Sequence, residues 1–204
     1  MNWKILKTGV VINLISIIGF AVSMPFEFDF GSYLFSMFIA LSFIIMACGY
    51  DLTAHSERKI CGNLCIAFGC VYASIILLVY FTQLTTVRNE ALPAAAANIL
   101  DFKKLGLMFN YDLLGYAMMS LSSFFAGLSI VPVNIFEKAL KVLLLLNIIF
   151  FISCLSVPML NLFNSSANSD GVIILEFWCA FFSPITILSY NYFMKRINTI
   201  QKVL

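Results

Sequence analysis

Glu176, Cys179, Ser183, Thr186 and Tyr190 succeed one another at steps of 3, 4, 3 and 4 residues. On a helix that spacing draws a polar stripe along a single face. The surrounding residues are almost all Ile, Leu, Phe, Ala or Met, interrupted by Trp178, Pro184 and Ser189. A carboxylate at the centre of a bilayer costs about 2.5–3.5 kcal/mol on insertion scales, so it turns toward protein or water rather than lipid. The stripe therefore predicts a wet cavity or a polar seam between helices. Pro184 withdraws one backbone hydrogen bond, and Ser183 or Thr186 is placed to re-satisfy the freed carbonyl. The plainer alternative is that Glu176, six residues after Asp170, reaches the membrane surface while the hydroxyls bond their own helix.

Asp112, after Asn110 and Tyr111, is expected to open a helix on the same side as Glu176. Two carboxylates at one site would suit a cation, an amine or a proton relay. As an acid and base pair they would suit catalysis on a membrane substrate. Asn147 is polar in apolar surroundings, as are Asn13, Ser16 and Asn63. Each offers hydrogen bonds to such a site, or simply between helices. The candidate ligand contacts are thus Glu176, Ser183, Thr186, Tyr190, Asp112 and Asn147, and no catalytic residue is assigned.

Other chemistry is thinly represented. The single histidine, His55, stands between Asp51 and Glu57, and a metal site ordinarily recruits more than carboxylates around one imidazole. A solvated connector is expected there. The motifs His-Glu-x-x-His, Gly-x-Ser-x-Gly and Gly-x-x-x-x-Gly-Lys do not occur. Their absence removes the usual zinc-peptidase helix, hydrolase elbow and phosphate loop. One histidine cannot hold a bis-histidine haem. Neither metal nor cofactor is expected.

The cysteines read as packing residues. Cys61 and Cys65 stand four apart, unlike a redox Cys-x-x-Cys pair, and continue into Gly69 and Ala73 as a ladder of small residues. Such ladders let helix backbones approach closely. Ser122 with Ala126, and Ser123 with Gly127, suggest a second tight face. None of the six cysteines falls in a predicted external loop, so a disulfide framework is not expected.

Membrane helices have to position these residues. Hydrophobic residues make up 62% of the 204, and charged ones only 11%. Soluble domains carry about a quarter charged residues. A helix needs about 20 apolar residues to cross roughly 30 Å of hydrocarbon. Uncharged runs join Lys7 to Glu27, Asp29 to Asp51, Lys59 to Arg88, Asp112 to Glu137 and Lys141 to Asp170; a last one, broken only by Glu176, ends at Lys195. Spans are predicted near 8–25, 31–50, 60–82, 112–132, 141–162 and 171–193. The runs lack the alternation of barrel strands. The expectation is one all-α domain over 1–204, an integral membrane protein of six transmembrane helices.

With six spans, Lys4, Lys7, Arg58, Lys59, Lys138, Lys141, Lys195, Arg196 and Lys202 fall on one side, and Arg88, Lys103 and Lys104 on the other. That bias predicts both termini on the cytoplasmic face of a plasma or inner membrane. Tyrosines and Trp3 near the span ends fit an interfacial belt. Lys4, Lys7, the apolar run to Phe20 and Ala21-Val22-Ser23 also resemble a cleavable leader; retained, the segment is the first of six spans. In the long connection from Gln83 to Tyr111, Pro93 and the alanines after it predict a short helix, lying on the external membrane face or capping the bundle. Asn164-Ser165-Ser166 is a glycosylation sequon in a predicted external loop.

A net charge of +2 leaves no surface for nucleic acid. The leading expectation is a protein that binds, and moves, a small or lipid-like ligand among its helices, with membrane lipid around it. The alternatives are a membrane-embedded enzyme using Glu176 and Asp112, and a structural or assembly subunit whose small-residue faces bind a membrane-protein partner.

Overall fold

The computed structural model describes residues 3–89, 91–160 and 168–203. Among the described residues there are seven α-helices and no strand. They are α1 (Trp3–Ser23), α2 (Asp29–Thr53), α3 (Lys59–Leu84), the short α4 (Ala94–Leu100), α5 (Leu107–Ser129), α6 (Ile135–Met159) and α7 (Asn168–Val203). Single 3-10 turns at Ser56–Arg58 and Phe102–Lys104 complete the connections. The Asn164 sequon lies outside the described residues.

Among the described residues five stretches are long and apolar enough to cross a bilayer: Trp3–Ser23, Asp29–Thr53, Ser56–Leu84, Ile135–Met159 and Ile173–Ile197. The fourth predicted span, near 112–132, departs from that pattern. α5 has 23 residues, enough for about 35 Å of rise, but its sequence is diluted with Ser, Gly, Tyr and Asn. The reason is its place in the bundle. α5 lies between α3 and α6 and buries Asp112, Gly115, Ser120, Ser122, Ser123 and Gly127. A helix enclosed by neighbours needs small, close-packing side chains more than a lipid-like surface.

Charged residues also proved poor markers of helix ends. α5 begins at Leu107, so Asp112 does not open it and lies more than a turn inside, only 3% exposed. α1 starts at Trp3 and includes Lys4 and Lys7, while α7 runs through Lys195 and Arg196. Long cationic side chains can stay in a helix and reach past its end. Asn134 caps α6 by accepting from the Glu137 amide at 3.0 Å, and Glu137 Oε1 accepts from Asn134 Nδ2 at 2.8 Å.

The long helices form a closed ring in the order α1, α2, α3, α5, α6, α7 and back to α1. α6 touches α7 far less than it touches α5. At one end, Cβ placed on Gly49 would meet Leu6 at 2.6 Å and Phe193 at 2.9 Å, so the start of α1 and the last part of α7 share that end. Three cations converge there on the carbonyls that close α5. Arg58 Nη1 donates to Leu128 and Ile130, each at 3.1 Å, and Lys141 Nζ to Ile130 at 3.0 Å. Arg196 Nη2 donates to Val131 at 3.0 Å and to Glu137 Oε2 at 3.2 Å. Cations at a helix C-terminus satisfy orphan carbonyls and the negative end of the dipole. The cluster at this basic end is therefore a capping device as well as a charge bias.

The predicted small-residue faces are used within the chain. Ser122 Oγ donates to the Cys65 carbonyl at 2.6 Å, and Cβ on Gly69 would stand 3.3–3.5 Å from Ser122, Phe43 and Ala47. On α5's other flank, Cβ on Gly127 would meet Leu144 of α6 at 3.0 Å. All six cysteines are free.

Candidate functional site: a chamber at the end opposite the basic cluster

Opposite the basic end the ring encloses a chamber of about 870 Å³. Its floor is a closed circuit of aromatic rings contributed by four helices. Phe43 contacts Tyr72 (centroids 5.4 Å apart), Tyr72 contacts Tyr116 (6.0 Å) and Tyr116 contacts Trp178 (5.3 Å). Trp178 contacts Phe182 (5.2 Å), which returns to Phe43 (6.2 Å). Edge-on and offset ring contacts of this kind are the favoured aromatic geometries. Tyr116 and Trp178 face the chamber from this floor.

The walls follow from helical spacing. Phe109, Asp112, Leu113, Tyr116 and Ser120 of α5 all line the chamber, at positions i, i+3, i+4, i+7 and i+11. α6 adds Phe150, Ser153, Cys154 and Val157, while α7 adds Ile173, Ile174, Leu175 and Trp178. Ser153, Ile173 and Ile174 are exposed on the outside of the ring as well. The chamber thus reaches the bundle's surface at the sparse α6–α7 seam.

At the mouth, Tyr33 stacks on Tyr80 at 5.5 Å, and Phe102 contacts Tyr33, Tyr80 and Phe109. Phe102 is held there by Gln83, which is 1% exposed. Gln83 Nε2 donates to the Leu100 carbonyl at 2.9 Å, and its Oε1 accepts from the Phe102 amide at 3.0 Å. So the 3-10 turn Phe102–Lys104 and Leu100, the last residue of the short helix that follows Pro93, together cover this end of the bundle. Lys103 Nζ pairs with Asp29 Oδ2 at 2.6 Å across the rim, both side chains about half exposed.

Two non-glycine residues among those described have positive φ, Glu27 at 53° and Leu105 at 52°, and both line the chamber. The backbone explains Glu27. Phe28 N–H bonds the Ser23 carbonyl and Glu27 N–H the Met24 carbonyl, the paired pattern that closes a helix through a left-handed residue, usually glycine. A side chain in that conformation costs about 1–2 kcal/mol. Such strain gathers where surrounding structure or function holds it in place.

Of the six sequence candidates, only Asp112 lines this chamber. Its Oδ1 is buried without a hydrogen-bond partner, as is the Tyr116 hydroxyl beside it in the lining. Glu176 is half-buried, its Oε1 also without a partner, but it does not line the chamber although Leu175 and Trp178 do. Asp112 and Glu176 are therefore not brought together on this chamber, as an acid–base pair would require. Ser183 donates to the Cys179 carbonyl of its own helix at 2.8 Å. Thr186 donates to Asn13 Oδ1 at 3.1 Å and to the Phe182 carbonyl at 3.3 Å. Neither takes the Ala180 carbonyl that Pro184 leaves. Asn147 donates to the Leu143 carbonyl at 3.0 Å, and Tyr190 is half-buried against the core. His55 is exposed, and Asp51 pairs with Lys59 at 2.8 Å. Among the described residues no cluster of His, Cys, Asp or Glu could hold a metal ion.

Sequence reasoning missed Tyr33, Tyr80, Tyr116, Trp178 and Ser120. The stripe Asp112-Tyr116-Ser120 was available as a signal, since its members recur every four residues on one helix.

Fold and chamber together define the class: a multi-pass helical membrane protein with an aromatic-floored chamber at one end of its bundle. Comparison with family models, with curated proteins and with solved structures finds no match to this chain.

Proposed function

We propose that the chain is a six-span membrane protein with both termini cytoplasmic, which binds a small or lipid-like ligand in the chamber and passes it across or along the membrane. The chamber end then faces the external side. The observation that carries this reading is the chamber itself, which has apolar walls and an aromatic floor, with Asp112 buried in the lining and its Oδ1 without a partner. About 870 Å³ lies within the usual range for small-molecule sites, which are mostly apolar with a few placed polar groups. The α6–α7 seam favours a lipid-like ligand, because it connects the chamber to the face where lipid would lie.

Asp112 stays in the proposed contact set, joined by Tyr33, Tyr80, Tyr116, Ser120 and Trp178. The assembly reading loses its main support, since the Cys65-Gly69-Ala73 face is covered by the chain's own α2 and α5.

Native mass spectrometry of the purified protein, beside Ser120→Trp, tests the binding reading. A bound mass in the wild type that the bulky side chain displaces is expected. Identical spectra from the two proteins would overturn it. For the orientation, a membrane-impermeant maleimide on intact cells should label Lys104→Cys above the wild-type background and spare Lys138→Cys. The reverse pattern would overturn the topology.

A further inference from the structure

We propose that the chamber takes a lipophilic cation: an ammonium group on an apolar body, its head against Asp112 and its body along α6 and α7. This rests on the ligand-binding reading and narrows it to a chemical class. Three observations converge on it.

The first is the state of Asp112. Its carboxylate is 3% exposed, faces the chamber and leaves Oδ1 without a partner. Tyr80 hydrogen-bonds the carboxyl group, and a cation held at Oδ1 would satisfy the buried oxygen that remains. The second is the charge balance of the lining. Glu27, Asp29 and Asp112 are acidic, against a single basic side chain, Lys103. Lys103 is already paired with Asp29 at the rim, so no lining cation answers Asp112. An anionic ligand would meet uncompensated carboxylates, and a neutral one could offer Oδ1 a hydrogen bond but no opposite charge.

The third observation is the distribution of rings. Asp112 lies one helical turn above Tyr116, and so above the aromatic floor that Tyr116 shares with Trp178. Tyr33, Tyr80 and Phe102 form the aromatic mouth. Aromatic faces around a carboxylate are the recurring surroundings of amine and quaternary ammonium groups, because ring quadrupoles attract cations. Beyond this head site the lining turns to Phe150, Cys154, Val157 and Ile174. These suit an alkyl or aryl body and lead to the α6–α7 seam.

The test uses Trp178 as its reporter. The chain has two tryptophans, so Trp3→Phe leaves the one in the chamber floor. Octyltrimethylammonium, octanol and octanoate carry the same body on positive, neutral and negative heads. In the full-length Trp3→Phe protein the cation should change Trp178 emission saturably and at lower concentration than either companion. Adding Asp112→Asn should weaken the cation about tenfold or more and leave octanol unchanged. Octanol binding as well as the cation would overturn the proposed class while leaving the ligand-binding reading standing. Tighter binding of octanoate would do the same. No saturable response to any of the three would overturn both. The ranking of the three probes needs no change at Asp112, so the class is tested even if Asp112→Asn does not fold.

Discussion

Asn13 is fully buried at the crossing of three helices, and its removal has a cost that can be worked from its partners. Nδ2 donates to Ser42 Oγ of α2 at 2.9 Å and to the Ile39 carbonyl at 3.3 Å. Oδ1 accepts from Thr186 Oγ1 of α7 at 3.1 Å. In Asn13→Ala none of these groups is stranded. Ser42 still donates to the Phe38 carbonyl at 2.6 Å, and Thr186 to the Phe182 carbonyl at 3.3 Å. The loss is therefore that of interhelical bonds alone, which average about 0.6 kcal/mol in membrane proteins and reach about 1.7. A small void adds about 1 kcal/mol. The expected total is about 2–3 kcal/mol for Asn13→Ala and about 1 kcal/mol for Thr186→Val. A double-mutant cycle, read by reversible unfolding in mixed detergent micelles, should show a coupling of about 0.6–1 kcal/mol. Coupling indistinguishable from zero would mean that the bond does not tie α1 to α7. Coupling above about 3 kcal/mol would show that the intrahelical acceptors give no fallback, and the reasoning would fail on that side.

Two further predictions concern the backbone. Glu27→Gly should stabilise the protein by about 1 kcal/mol, seen as a higher unfolding temperature, because glycine relieves the left-handed conformation. Leu105→Gly should gain less, since that leucine also loses its packing; no gain at Glu27 would refute the strained turn. Among the packed glycines, Gly69→Ala should be nearly neutral, because its Cβ meets only side chains at 3.3 Å and beyond. Gly62→Ala should cost about 1–3 kcal/mol, since Cβ there comes within 2.8 Å of the Asp51 Cα in the opposing backbone. Chemical denaturation of the two variants side by side would settle the order, and the opposite order would refute the packing.

The pairing of Arg58, Lys141 and Arg196 with the carbonyls around Ile130 bears on how charge bias is read in membrane proteins. These residues supply much of the positive side of the chain, yet each also bonds a carbonyl at or just beyond the end of α5. Neutralising one of them would disturb packing and topology together. An orientation measured on such a variant would mix two effects, so the labelling experiment places its cysteines at Lys104 and Lys138 instead.

Composition and run length determined a great deal by themselves. An all-helical chain of long apolar segments, with its cations gathered toward one end, follows from hydropathy and charge, which are properties of neighbouring residues along the chain. The small-residue ladder Cys65-Gly69-Ala73 was legible for the same reason, because helical periodicity alone puts its members on one face. The stripe from Glu176 to Tyr190 was legible as a stripe and no further. Periodicity does not say which way a helix is turned, and rotation about α7 carries Thr186 to Asn13 while leaving Glu176 off the chamber. Asp112 was singled out, but its depth was misjudged, since a charge marks a helix end only when no bundle encloses it. The chamber itself belongs to tertiary structure. Glu27, Lys103, Asp112 and Trp178 are far apart in sequence and meet only because six helices close into a ring. Local patterning decides what each helix can bury, whereas the order and rotation of the helices decide which polar groups are left to face one another.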